Sequence, residues 1–328
     1  MPSVTLWQAR SEYLEHLKAQ GMAVSTISGH GIILNHCLDT WGDIDVRDIS
    51  QGDVDKLFAK GQWATGTQNL YLWNLRSFVR YLRRQNYIPK DADPTDGWKT
   101  RRTPQRSRTW LTLPELTEMF NAAWCPRDRA LMVVGAYTFL RGSEIAALTI
   151  GDLDLEADEL DVYRIKGRVA DRLPICTELK NELAIWLAYY ENECGPLQQT
   201  WLLIPARGPI PMRGVIGERR LEPTGEPAPL KPCSPVTKPY SVVRRAMKDV
   251  GFDHVGDGCH VLRRSGARNL FERLRADGHD GALRRVSSML GHSSTLITEH
   301  YLGVDAERRQ RNTLLSGKEM FPAANPAA

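Results

Sequence analysis

Ala130 to Leu140, ALMVVGAYTFL, is apolar almost all round and runs without a break into Arg141. A helix with no polar face must be covered on every side, so this segment predicts the centre of a domain around which the neighbouring elements wrap. It also carries a guanidinium to the edge of that centre, where a charge requires an anionic partner. Glu144, three residues on, either is that partner or orients the guanidinium toward something else.

The flanking sequence supplies the wrapping. Thr112-Leu-Pro-Glu115 combines a cap, an early-helix proline and a capping-box glutamate, and Leu116, Met119, Phe120 and Ala123 continue the helix it opens. Beyond Arg141, strand-like runs at Asp152–Leu155, Leu160–Ile165 and Arg172–Ile175 predict a small antiparallel sheet, with KGRVAD as the turn of its hairpin. Lys166 sits at the mouth of that hairpin, where a solvated turn lysine is the ordinary reading. Glu178 to Tyr190 is amphipathic, with Leu179, Leu183, Trp186, Leu187 and Tyr190 inward. Pro205 to Pro239 carries nine prolines and reads as a loop or an insertion ordered on binding. Helical pattern returns at Tyr240–Val250 and in CHVLRRSGARNLFERL, where His260 and Arg263 share one face. In MLGHSSTLITEHYL, Ser293 and Ser294 can cap a short helix ending near Tyr301, which sets the His292 imidazole near a phenol. Alone, such a tyrosine is half-buried core with a wet hydroxyl.

The N-terminal part predicts four helices. Leu6, Ala9, Tyr13 and Leu17 mark the first, Ile27, Leu34, Cys37, Leu38 and Trp41 the second, and Ser50–Asp53 opens a short third through Leu57 and Phe58. The fourth carries Tyr71, Leu75, Phe78, Val79 and Leu82 on one face, with Arg76, Arg80, Arg83 and Arg84 around it. Those arginines taken alone are an ordinary solvated face. They are followed, however, by Pro89–Trp110, which has three prolines, no apolar periodicity and Lys99, Arg101, Arg102, Arg106 and Arg108. An extended basic linker continuing a basic helix makes a positive strip, which phosphate backbones attract through counterion release. Nucleic acid is the leading partner. The expected division is a helical unit at 1–88, a linker at 89–110, a second domain at 111–304 and a tail at 305–328. The fold class is mainly α with a small antiparallel sheet (α+β).

Bulk properties exclude other classes. The 328 residues hold no apolar run of membrane-spanning length, and the N-terminus reads directly as a helix rather than a leader, so a cytoplasmic protein is expected. The six cysteines are scattered without a CxxC pair, which predicts reduced thiols and no structural zinc. A net charge of +4 does not by itself single out a nucleic-acid binder.

Four stretches in this order, TFLRGSEIAALTIGDLDL around Arg141, YRIKGRVADRLPI around Lys166, HVLRR at His260–Arg264 and MLGHSSTLITEHYL, resemble the tyrosine recombinase (phage integrase) family. The resemblance covers most of Thr112–Leu302, and the N-terminal helices look more loosely like that family's core-binding domain. It implies a catalytic set of Arg141, Lys166, His260, Arg263, His292 and Tyr301, with Glu144 holding Arg141 or a histidine in place. Tyr301 would attack the scissile phosphate to give a 3′-phosphotyrosyl bond, with neither metal nor other cofactor, and Lys166 would protonate the leaving 5′-oxygen. It further implies double-stranded DNA at two recombination sites, a homotetramer in the synaptic complex, accessory DNA-bending or directionality proteins, and a tail at Asp305–Phe321 that docks on a neighbouring protomer. No arm-site binding domain is expected before the four helices. Integration or excision of a phage or mobile element is the expected role. The alternatives are an Xer-like chromosome-dimer resolvase, a type IB topoisomerase, against which His260 argues because that class usually has lysine there, and a catalytically silent DNA-binding regulator.

Overall fold

The structure, a computed structural model, describes residues 3–103, 110–165, 167–208, 212–213, 222–223, 228–252 and 258–303. The chain divides into two compact units, Met1–Arg106 and Ser107–Ala328.

The first unit contains α1 (Leu6–Ala19), α2 (Val24–Trp41), α3 (Gln51–Gly61) and α4 (Thr65–Arg84). Ser50 and Asp53 cap α3 reciprocally, satisfying donors that the helix itself leaves open. Leu6, Tyr13, Ile33, Leu34, Phe58, Leu75 and Phe78 fill the space between the helices. The chain after α4 departs from the expected extended linker, because it folds back onto this core. Arg83 donates to the Ala92 carbonyl at 2.7 Å and pairs with Asp93 at 2.7 Å, while Arg76 donates to the Trp98 carbonyl. The Trp98 ring lies 4.5 Å from Phe58 and its Nε1 donates to Asp55 at 2.8 Å. Asn69 then holds the Arg101 amide at 2.9 Å and its carbonyl at 2.7 Å. An indole offers far more apolar area than any neighbour in this stretch, and burying it outweighs the lack of periodicity. Arg76 and Arg83, expected on a DNA-facing surface, are turned onto this segment. Arg80, Arg84, Lys99, Arg101 and Arg102 are exposed, and Arg106 and Arg108 lie outside the described residues.

The second unit starts with α5 (Leu113–Asn121), opened by the Thr112–Glu115 capping box, and α6 (Pro126–Thr138), which is buried along nearly its whole length. Short α7 (Gly142–Ile145) follows. An antiparallel sheet of β1 (Leu153–Asp154), β2 (Glu159–Arg164) and β3 (Val169–Pro174) comes next, in that order. The hairpin turn is tighter than KGRVAD suggested. Arg168 takes a left-handed φ of +54°, and strand pairing resumes at Val169 opposite Arg164. After α8 (Thr177–Cys194), the described parts of the proline-rich segment, expected as a loop or an insertion ordered on binding, contain short strands. Strand β4 (Pro205–Arg207) pairs with β7 (Leu230–Pro235), and β5 (Met212–Arg213) with β6 (Glu222–Pro223). Two-stranded ribbons have edges that need no amide donor, which is where proline is tolerated.

The last four helices are α9 (Pro239–Asp249), α10 (Cys259–Ala276), α11 (Ala282–Leu290) and α12 (Thr295–Leu302). α10 crosses α6 so closely that a Cβ on Gly266 would stand 1.7 Å from the Ala136 carbonyl oxygen, so only glycine fits. Among the described residues no helix is long and apolar enough to cross a membrane. The tail from 304 lies outside them.

Candidate active site

The buried helix α6 ends at Phe139, a non-glycine residue held at φ +55° with its ring in the core. Such a conformation is unusual for a bulky side chain, and strain of this kind is tolerated where the surroundings over-determine it. It breaks the helix and does two things for the site. It frees the Phe139 carbonyl, which accepts from Arg263 Nη1, and it sends the chain toward Arg141 at the start of α7. There the Glu144 carboxylate accepts from the Arg141 amide at 2.8 Å and from its Nη1 at 2.9 Å. Glu144 is therefore the partner of Arg141, and its burial at 2% exposure removes competing water.

Arg263, also 2% exposed, is presented by the first turns of α10. Its Nη2 donates to the Leu290 carbonyl at 2.6 Å, at the end of α11. Neutral carbonyls fix the guanidinium without cancelling its charge. Burial lowers its pKa to about 10, against the pull of Tyr301 and with the help of Arg141, so it remains a cation at neutral pH. Holding a cation in such a place costs several kcal/mol before compensation. An incoming anion would relieve that cost.

Ser294 caps α12 by accepting from the Leu296 amide at 3.2 Å, as the sequence suggested. The helix carries Tyr301 to a half-buried position beside two guanidiniums: Arg264 lies 5.7 Å and Arg263 6.0 Å from its ring centre. Its hydroxyl is 3.5 Å from the His260 carbonyl. Burial pushes the phenol above its ordinary pKa, and Arg263, Arg264 and Arg141 pull it back. The same charges would stabilise a phenolate or a phosphoryl group bonded to that oxygen. The His292 ring meets the Tyr301 ring edge-on at 5.4 Å, and its Nδ1 shares a hydrogen bond of 2.9 Å with Thr298, which is fully buried. That contact fixes the imidazole plane. His260 itself is exposed in the first turn of α10. Among the described residues no group of three or more His, Cys, Asp and Glu side chains is placed to hold a metal ion.

The fold thus gathers Arg141, Glu144, Arg263, His292 and Tyr301, with His260 at the rim. Lys166 lies outside the described residues. Two contributors were missed in the sequence. Arg264 reaches the Tyr301 ring, and Arg164, 5% exposed on β2, enters the same floor from the sheet. Arg164 had a legible signal. Leu160 and Val162 point inward on the two-residue period, so Arg164 falls on the inward side too, where a charge demands partners.

The phage integrase family model matches residues 109–308. The XerC tyrosine recombinase of Azotobacter vinelandii is 26% identical over 309 residues, covering 89% of this chain and 90% of that protein. The XerD tyrosine recombinase of Haemophilus influenzae is 24% identical, covering 90% of this chain and 93% of that one. Among solved structures, a lambda integrase dimer bound to a COC′ core site superposes with a TM-score of 0.67 at 18% identity, covering 92% of this chain and 77% of that one. XerH bound to a palindromic difH substrate gives 0.63 at 18% identity, covering 94% and 85%. The chain belongs to the phage integrase family of tyrosine recombinases.

Proposed function

We propose that the protein is a site-specific DNA recombinase in which Tyr301 is the nucleophile. Its phenolic oxygen forms a bond to the scissile phosphorus as the phosphorus–O5′ bond breaks. The phenolic proton leaves to a histidine, His260 or His292, and Lys166 gives a proton to the departing 5′-oxygen. Arg141 and Arg263 hold the non-bridging oxygens with forked donors, the principal demand of phosphoryl transfer. The phosphotyrosyl bond conserves the energy of the diester, so a 5′-hydroxyl from another duplex reverses the step without ATP. One observation carries this reading: a buried cation, Arg263, fixed by neutral carbonyls beside a tyrosine at the end of a capped helix.

Double-stranded DNA is the partner, and four protomers on two sites are the assembly that strand exchange requires. A lambda integrase tetramer on a Holliday junction shares the fold, with a TM-score of 0.64. The first unit serves as a core-binding domain through Arg80, Arg84, Lys99, Arg101 and Arg102. The protein acts in the cytoplasm of a bacterial host, on integration or excision of a mobile element. A second role, chromosome-dimer resolution, is favoured by the near end-to-end match with XerC and XerD.

The test is strand exchange between two duplexes carrying the repeat that flanks the gene, in EDTA and without ATP. Joined recombinants are expected. Relaxation of supercoils with no joining would replace this reading by a type IB topoisomerase, and binding with neither would leave a DNA-binding regulator. Recombination at a site beside the gene supports the mobile-element role, and recombination only at a chromosomal site elsewhere supports the resolvase.

A further inference from the structure

We infer that Arg164 is a positioning residue that couples the β2–β3 hairpin to the phosphate clamp and so sets where Lys166 stands. The inference rests on the reading of Lys166 as a member of the active site.

Arg164 is the last residue of β2, two before Lys166, and both halves of it hold the turn. Its carbonyl accepts the amides of Gly167 at 3.1 Å and Arg168 at 2.8 Å, holding the far side of the turn against the end of β2. Its side chain turns the other way, into the floor of the site. Nε donates to Asp171 of β3 at 3.1 Å and Nη2 lies 3.0 Å from the same carboxylate, clipping the two strands together just below the turn. Nη2 also donates to the Met289 carbonyl at 2.7 Å, at the end of α11. Nη1 faces Glu144 at 3.8 Å, the carboxylate that already holds Arg141 at 2.9 Å. Gly291, which precedes His292, packs so that a Cβ there would stand 3.6 Å from Arg164 Nε.

One guanidinium therefore touches the hairpin, the acid that orients Arg141 and the helix end that leads to His292. A fork with five donors can make such a junction, whereas an ammonium cannot. The contacts also explain why a cation is buried here at all. Nη1 makes no hydrogen bond, and a mere brace would be better served by an apolar side chain. Sharing Glu144 means that the hairpin and Arg141 are registered against the same carboxylate. An error of about 1 Å in a reacting group can cost on the order of 10²-fold in rate, so this registration matters.

The test is a double-mutant cycle on single-turnover cleavage of a nicked site, with Arg164→Met and Lys166→Ala. Arg164→Met alone is expected to slow cleavage by on the order of 10²-fold while DNA affinity and the unfolding midpoint hold. In the Lys166→Ala background the same change should cost little more, because the group it positions is gone. Multiplicative losses would overturn the inference and show that Arg164 acts without Lys166, through Glu144 or as a brace of the fold. Arg164→Lys, which keeps the charge without the fork, should restore only a minor part of the rate, and full restoration would contradict the junction. If Arg164→Met does not fold, Asp171→Asn, which loosens the hairpin clip from a half-exposed side, should give a smaller loss that likewise vanishes without Lys166. The reading of Lys166 as proton donor is checked separately by sulfur at the bridging 5′-position. Rescue of Lys166→Ala there supports the donor role, and no rescue removes that role without altering the outcome of the cycle.

Discussion

The two units are built from similar helices but bury different things. Among the described residues, the first unit buries aromatic and aliphatic side chains with His30, Asn74 and Thr95 as its polar members. The second buries Arg127, Asp128, Glu144, Arg164, Arg263 and Arg264. Some of these charges are closed within the fold: Asp128 faces Arg127 at 2.9 Å and also binds Arg245, whose guanidinium stacks 3.6 Å over Trp124. Those near Tyr301 differ, since Arg263 ends on carbonyls and Arg164 divides itself among three elements. A core chosen for stability alone would not accept them, because ion pairs seldom outperform well-packed apolar residues of equal volume. The contrast places the stability of the first unit in its packing and the chemistry of the second in its charge.

That contrast can be broken at several points. The largest effect is expected on the apolar side. Phe78→Ala should cost about 3–5 kcal/mol in the first unit, read by denaturant unfolding, with single-turnover cleavage at saturating protein close to wild type. A collapse of the chemical step in folded protein would show that the units do not divide the labour as argued. Next come Arg141→Lys and Arg263→Lys, each lowering cleavage by about 10²–10³-fold, since an ammonium cannot hold two phosphate oxygens. Near wild-type rates from both would end the clamp model.

Smaller effects sharpen the boundary inside the first unit. Arg83→Ala should destabilise it by about 1.5–3 kcal/mol by releasing the Ala92 carbonyl and Asp93, yet leave the salt dependence of DNA binding as it was. Neutralising Arg80, Arg84, Lys99, Arg101 and Arg102 should do the reverse, flattening the slope by about 0.9 for each phosphate that is no longer neutralised. A slope that follows Arg83 instead would move it back to the DNA-facing surface. The smallest change, Ser294→Ala, removes the cap of α12 and about 0.5–2 kcal/mol of local stability. Its cleavage defect should be modest beside that of Arg263→Lys.

Much of the fold was legible where a local rule met no rival. The all-apolar run before Arg141 demanded a buried helix, and the Thr112 and Ser294 caps placed helix starts that the structure reproduces. The grouping of distant motifs came from the resemblance, because periodicity does not say that α6, α10 and α12 meet. Errors arose where tertiary packing overrode composition. A proline-rich, basic stretch reads as linker, but Trp98 found a place against Phe58 and drew the segment in. Arg76 and Arg83 looked like a solvated face because their acceptors are carbonyls of that same segment. Arg164 was overlooked for the opposite reason, since a strand arginine beside a family lysine drew attention to the lysine, although its inward register was already in the sequence.

Convergence of Arg141, Arg263 and Arg264 on the phenol of Tyr301 is what separates the second unit from the first. Its most direct test is covalent trapping of Tyr301→Phe on a nicked site, with affinity and unfolding measured on the same sample. Both should stay close to wild type, because phenylalanine keeps the ring beside His292 and Arg264 and loses only the hydroxyl's contacts with Arg263 and with the His260 carbonyl at 3.5 Å. No denaturant-resistant protein–DNA adduct should form, whereas wild type should yield one whose phosphorylated peptide contains Tyr301. An adduct that persists in Tyr301→Phe, or a wild-type adduct that maps to another residue, would contradict the account.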